Sequence, residues 1–169
     1  AHKMPILELA WEGTGTLIAS ASADSTIMVF DVEKGFCTHV FRGHEGVVHR
    51  VVFHPDAERL RLFSSGADNT IRAWDLRKKA CVGVLSSHVG LPSALAFSLD
   101  GATLLSGGRD QVVNLWSLDD FSLRSSVAVL EAVEGIVVLP MVGGSKAKAG
   151  KPAPVQFVTA GANGLLRCW

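Results

Sequence analysis

The chain has 169 residues, with sixteen Lys and Arg against sixteen Asp and Glu, and a formal net charge of zero at pH 7. No global field draws such a chain onto nucleic acid or an anionic surface, so any contact of that kind must be local. The composition is 48% hydrophobic, yet its longest apolar stretch, near Ile136 to Met141, is far too short to span a bilayer as a helix, and no secretory signal is visible.

One pattern organises the elements. An Asp or Asn is followed six residues later by a large aromatic at Asp24/Phe30, Asp68/Trp74, Asp110/Trp116 and Asn163/Trp169, with steps of 44, 42 and 53 residues between successive pairs. In chain order, the first unit reads as a strand a ending at Trp11, a Gly13-Thr14-Gly15 turn, a strand b bearing Ser20, a strand c ending at Phe30 and a weaker strand d over Cys37 to Phe41. The second repeats this with Phe53, the His54-Pro55-Asp56 turn, Ser64, Trp74 and a strand d over Cys81 to Leu85. The third has Phe97, Asp100-Gly101, Ser106, Trp116 and a strand d over Ser126 to Leu130. The fourth has a strand a ending near Pro140, a strand b over Val155 to Thr159 and a strand c ending at Trp169. Aliphatic residues three and one before each terminal aromatic, as in Ile71 and Ala73 before Trp74, alternate with period two and mark strand. No segment keeps a helical period.

Further positions hold register. His2, His44 and His88 stand nine residues before Trp11, Phe53 and Phe97, and a hydroxyl lies four before each turn residue, at Ser20, Ser64, Ser106 and Thr159. Val133 is read as occupying the fourth His position. A period near 40 to 45 with these marks is the signature of propeller blades. Gly43-His44, Asp68 and Trp74-Asp75 resemble the Gly-His, turn Asp and Trp-Asp marks of the WD-repeat family. The expected fold is therefore an all-β WD-repeat β-propeller of about four four-stranded antiparallel blades, over units 2–43, 44–87, 88–130 and 131–169. Closed propellers of this family usually have more blades, and both ends fall inside a repeat, so the chain is expected to be part of a larger propeller. An open arc leaves sheet faces and a strand edge exposed and invites self-association.

His44, Ser64 and Asp68 look like a hydrolase triad, since acyl transfer needs a hydroxyl beside a base oriented by a carboxylate. The same set recurs as His88, Ser106 and Asp110, and as His2, Ser20 and Asp24. An active site duplicated in every structural unit is not expected. The resemblance instead implies buried hydrogen-bond chains: Trp74 with His44, Ser64 and Asp68, and Trp116 with His88, Ser106 and Asp110. The first unit lacks the indole donor because Phe30 replaces Trp; the fourth lacks the imidazole. His39, His49 and His54 have no metal-ligand spacing, and Gly107-Gly108 is not followed by the Lys-Ser or Lys-Thr of a phosphate loop. No catalytic residue, metal or cofactor is expected. The three cysteines are odd in number, and each reads as a small buried hydrophobe in a reducing compartment.

The fourth unit departs from the repeat through an insertion, Met141 to Pro154, with five Gly and Pro, the three lysines Lys146, Lys148 and Lys151, and no acidic residue. It reads as a mobile basic loop, either a tolerated insertion or a contact to RNA phosphate or an acidic partner. Without aromatics for stacking it would bind RNA only weakly and without sequence preference.

The runs Phe41-Arg42-Gly43-His44-Glu45-Gly46-Val47-Val48-His49, Phe53-His54-Pro55-Asp56, Val133-Glu134-Gly135 and Phe157-Val158-Thr159-Ala160-Gly161 resemble the transducin-β-like nucleolar branch of the WD-repeat family. That resemblance implies a non-catalytic scaffold in the UTP-B subcomplex of the small-subunit processome. It would act in the nucleolus, in pre-rRNA processing and ribosome biogenesis. The implied partners are other WD-repeat or propeller proteins of a large ribonucleoprotein, with weak or indirect contact to pre-rRNA or small nucleolar RNA and no membrane. The alternative is a substrate receptor of a ubiquitin ligase or a signalling propeller akin to G-protein β subunits, binding peptides on one rim.

Overall fold

The structure, a computed structural model, describes residues 1–140 and 155–169. The described strands form four antiparallel sheets, each a simple meander. The first contains β1 (Ile6–Trp11), β2 (Leu17–Ser22), β3 (Thr26–Asp31) and β4 (Phe36–Arg42); the second contains β5 (Val48–Phe53), β6 (Arg61–Gly66), β7 (Ile71–Asp75) and β8 (Ala80–Leu85). The third contains β9 (Pro92–Phe97), β10 (Thr103–Gly108), β11 (Val112–Ser117) and β12 (Leu123–Ala128); the fourth has three strands, β13 (Val133–Leu139), β14 (Gln156–Gly161) and β15 (Leu166–Cys168). Among the described residues the sole helical element is one 3₁₀ turn, Ala57–Arg59, whose N-cap Asp56 accepts the Glu58 N–H.

The turns between the second and third strands explain why Asp or Asn recurs there. In three of them the side-chain Oδ1 accepts the backbone N–H two residues on, from Thr26 (3.0 Å), Thr70 (3.2 Å) and Leu165 (3.2 Å), the local bond that favours these residues in turns. The intervening residue is left-handed in every sheet: Ser25 (φ 67°), Asn69 (φ 59°), Gln111 (φ 65°) and Gly164 (φ 79°).

The core lies between the sheets. One buried cluster joins Ile27, Val29 and Phe41 of the first sheet to Val51, Leu62 and Trp74 of the second. A second joins Phe63, Ile71 and Leu85 to Leu104 and Trp116, and a third joins Leu105 and Val113 to Val133 and Phe157. Each sheet thus buries a face only against its neighbour, as expected for stacked repeats.

Two expectations are corrected. The third strand d is Leu123–Ala128 rather than Ser126 to Leu130. A register shift between Leu115 and Trp116 sets Leu123 opposite Trp116, while Val129 has left the ladder, its N–H donating to the Gln111 carbonyl at 2.9 Å. The cysteines are exposed, not buried. Strand d is the outer edge of the first three sheets, and its one fully buried side chain in the first two, Phe41 or Leu85, lies at its far end. Cys37 and Cys81 sit near its start, their thiols donating to the carbonyls of His39 and Gly83.

Candidate functional site

Antiparallel pairing of the second and third strands brings the hydroxyl and the indole of each unit face to face: Ser64 is opposite Arg72, and Trp74 lies two residues on, opposite Leu62. In the second sheet Trp74 Nε1 donates to Ser64 Oγ at 2.8 Å, Ser64 Oγ is 2.8 Å from His44 Nε2, and His44 Nδ1 lies 3.0 Å from Asp68 Oδ2. The third sheet repeats this with Trp116 to Ser106 at 2.8 Å, Ser106 to His88 at 2.7 Å and His88 to Asp110 at 2.8 Å. In the first sheet His2 meets Ser20 at 2.7 Å and Asp24 at 3.0 Å, without an indole because residue 30 is Phe. Each turn carboxylate also accepts the N–H of the residue after the histidine, from Lys3, Glu45 and Val89. This links the entering loop to the turn.

The electrostatics favour a neutral imidazole beside an ionised carboxylate. Burial pushes His44 below the ordinary imidazole value, outweighing the opposing field of Asp68. Burial acts to raise Asp68, but the Glu45 N–H and the hydrogen bonds from the Thr70 hydroxyl and the His44 ring outweigh it and hold the carboxyl below its ordinary range. The Ser64 hydroxyl is fully buried (0% exposed) and shared between indole and imidazole. It cannot meet a substrate carbonyl. Among the described residues no group of three or more His, Cys, Asp or Glu side chains could hold a metal ion.

The fourth sheet corrects one assignment. Val133 is the first residue of β13, opposite Gly161, in the same place as Val48 opposite Gly66 and Pro92 opposite Gly108, not at the histidine position. Matching the loop bonds Ala67 N to Val47 O and Ala162 N to Ala132 O puts Val129 at that position. The space beside Gly161 is filled by Glu131: a Cβ on Gly161 would meet its carboxylate, as one on Gly66 would meet the His44 ring. Glu131 is buried and pairs with Arg167 Nε at 3.0 Å. Trp169 Nε1 still donates to Thr159 Oγ1 at 3.0 Å. Sequence reading missed Glu131 because it falls two residues out of register; the signal available was a carboxylate and an Arg167 that matches Arg72 in a unit whose turn residue is the neutral Asn163.

A second set of polar contacts runs between sheets along their first strands. Glu8 accepts the Val51 N–H at 2.7 Å and Arg50 Nη1 at 3.0 Å, and Arg50 Nε donates to the Ser93 carbonyl at 2.6 Å. Ser65 Oγ donates to the Pro92 carbonyl at 2.6 Å, and Ser93 Oγ to the Val133 carbonyl. Lys146, Lys148 and Lys151 lie outside the described residues.

Repeated antiparallel sheets, two of them stapled by a complete indole–hydroxyl–imidazole–carboxylate chain and the outer two by partial ones, define a WD-repeat β-propeller arc. The chain accordingly belongs to the family described as WD domain, G-beta repeat, whose pattern matches residues 1–31, 35–75 and 79–117. It is 43% identical over 168 residues to Transducin beta-like protein 3 of Bos taurus, covering 99% of this chain and 21% of that protein. It is 42% identical over 132 residues to U3 small nucleolar RNA-associated protein 13 of Saccharomyces cerevisiae, covering 72% of this chain and 16% of that protein. A shorter match, 45% over 58 residues, is to Ribosome biogenesis protein BOP1 homolog of Oryza sativa, covering 34% of this chain and 8% of the relative. The chain spans about a fifth of the length of the first of these relatives.

Proposed function

We propose that this chain is a non-catalytic scaffold that helps assemble the small-subunit processome, and so serves pre-rRNA processing in the nucleolus. The observation that carries this reading is the likeness to part of Transducin beta-like protein 3 along 99% of this chain, which includes the fourth unit where the WD pattern is not matched. The yeast relative's name places that protein with U3 small nucleolar RNA. The His44, Ser64, Asp68, Trp74 and His88, Ser106, Asp110, Trp116 sets are, on this reading, structural networks. Fully connected buried polar chains rigidify a core, whereas partly satisfied ones destabilise it. The partners would be other propeller proteins of a large ribonucleoprotein. Lys146, Lys148 and Lys151 would supply at most a sequence-blind contact to RNA phosphate.

The test is affinity purification of the tagged full chain from cell extract, with protein and RNA identified in the eluate. Processome proteins with U3 small nucleolar RNA are expected, and depletion should accumulate uncleaved pre-rRNA. Recovery of a ubiquitin-ligase scaffold without those RNAs would replace this reading with the substrate-receptor one. Covalent labelling of Ser64 by a serine-directed probe would overturn the non-catalytic assignment.

A further inference from the structure

The rim that carries the turn Asp residues hides most of its carboxylates. Asp24, Asp68 and Asp110 are each turned inward onto a histidine and a backbone N–H. What the rim exposes is Lys3, Arg42 and Arg109 against Glu45 and Glu134. At the junction of the second and third sheets the imbalance is local. Arg109 is exposed and takes part in none of the ion pairs among the described residues. Across the junction stands His49, whose imidazole is held below its ordinary value by partial burial and by the positive fields of Arg109 and Arg50.

Beside Arg109 sits an apolar residue that the fold holds out in water. Val89 is 87% exposed. Its loop is not slack: Val89 N–H donates to Asp110 Oδ2 at 3.0 Å, Arg109 N–H to the Leu91 carbonyl at 3.0 Å, and Asn69 Nδ2 to the Val89 carbonyl at 3.5 Å. Gly90 packs so closely that a Cβ there would lie 3.1 Å from the Asp110 nitrogen. The backbones that carry an exposed aliphatic group and an unpaired guanidinium are therefore held side by side before any partner arrives, which lowers the ordering cost of binding.

We propose that this junction is a docking site for a short acidic segment of a partner protein, a carboxylate seated on Arg109 and an aliphatic side chain on Val89. The inference rests on the scaffold reading and names the chemistry of one partner. Nucleic acid fits less well. Among the described residues the exposed aromatic side chains Trp11, Phe36 and Trp169 lie at strand ends of the opposite rim, leaving the described part of this rim without the stacking platforms that single strands use. Aliphatic contact beside a guanidinium suits a peptide.

The test is fluorescence anisotropy of the full chain with a labelled ten-residue peptide of aspartate, glutamate and leucine, set beside a single-stranded oligouridine. Saturable peptide binding that weakens with salt is expected. Arg109→Glu should lower affinity about tenfold, because it replaces attraction by repulsion. Val89→Asp should lower it several-fold, and Arg59→Glu on the opposite rim should leave it unchanged. The His49 ring resonances should shift on peptide addition. All three variants change exposed side chains, and an unchanged melt confirms that they fold. An affinity insensitive to Arg109→Glu, or equally sensitive to Arg59→Glu, would overturn the proposal. So would oligouridine binding lost on Arg109→Glu while the peptide fails to bind. Failure of the processome purification with intact peptide binding would sink the assembly reading alone.

Discussion

Small departures from the repeat show what each network member contributes. In the first and second sheets a threonine two residues after the turn Asp donates its hydroxyl to Oδ1, Thr26 at 2.6 Å and Thr70 at 2.9 Å. The third sheet has Val112 there, and the buried Asp110 Oδ1 has no hydrogen-bond partner among the described residues. Val112→Thr keeps the shape and supplies the donor, so it should stabilise by about 0.5–1.5 kcal/mol; urea melts with an unchanged m-value would show this as a rise in midpoint. The titrating groups give a second expectation. Burial holds His44 and His54 below the ordinary value of 6.5, so unfolding takes up protons, and their contribution is present above that value and lost as pH falls below it. Asp24 and Asp68 are held below the ordinary 3.8 because hydrogen bonds outweigh the opposing effect of burial; their contribution is present above that value and lost as pH falls through the lower folded one. Both act in one direction, so the melting temperature should drop between about pH 7.5 and about pH 5 and again in stronger acid. A flat profile from neutral to mildly acidic pH would contradict the histidine part. The histidines, hydroxyls and turn residues of three sheets were legible because register repeats them. Glu131 was not, because a carboxylate that reaches the imidazole's place from two residues away leaves no periodic trace.

Elements were legible in proportion to how deeply they are buried. The second and third strands of the two middle sheets have neighbours on both faces, as in β10, where every residue is buried. The outer strand has a weak pattern for a physical reason: β12 is almost wholly exposed, so its residues are under little pressure to alternate, and its start was misplaced by three residues relative to Leu123. The turns preceding the outer strands hold a second hidden constraint. Lys79 (φ 54°) and Phe121 (φ 58°) occupy the left-handed place that Gly35 (φ 68°) takes in the first sheet. Phe121 is held there by packing: its ring lies 6.5 Å from that of Phe63, Arg61 stands 5.8 Å over its face, and a Cβ on Gly83 would come within 2.6 Å of it. Gly83 on β8 is thus the seat for a residue of the next sheet. Gly83→Ala should destabilise by about 1–3 kcal/mol through overpacking. The cost should shrink in a Phe121→Ala background, a coupling that a double-mutant cycle in thermal or urea melts would read. Equal costs in both backgrounds would mean that the ring does not set the limit.

At the scale of the whole arc, stability is a sum over neighbouring sheets. Each of the three buried clusters spans one junction, and the Glu8–Arg50–Ser93 chain adds a polar tie from the first sheet through the second to the third. Such an array leaves its outermost faces uncovered. On β1, Leu9 and Trp11 share a face by strand alternation and are 57% and 60% exposed; on β15 Leu166 is 75% exposed. Apolar faces of this kind lie within single monomers only rarely and drive association when they do. The isolated chain should therefore show a mass by light scattering that rises with concentration. Replacing Leu9 and Trp11 together by lysine should lower that mass toward the monomer, since two charges on one apolar strand face oppose stacking and edge pairing alike. The same variant should melt close to the parent, because neither side chain belongs to a junction cluster. Two other results would count against this account. A chain that stays monomeric at all concentrations would show that the exposed faces tolerate water. A large loss of stability in the double variant would show that Leu9 and Trp11 pack inside the arc, and that its first sheet is less open than its geometry indicates.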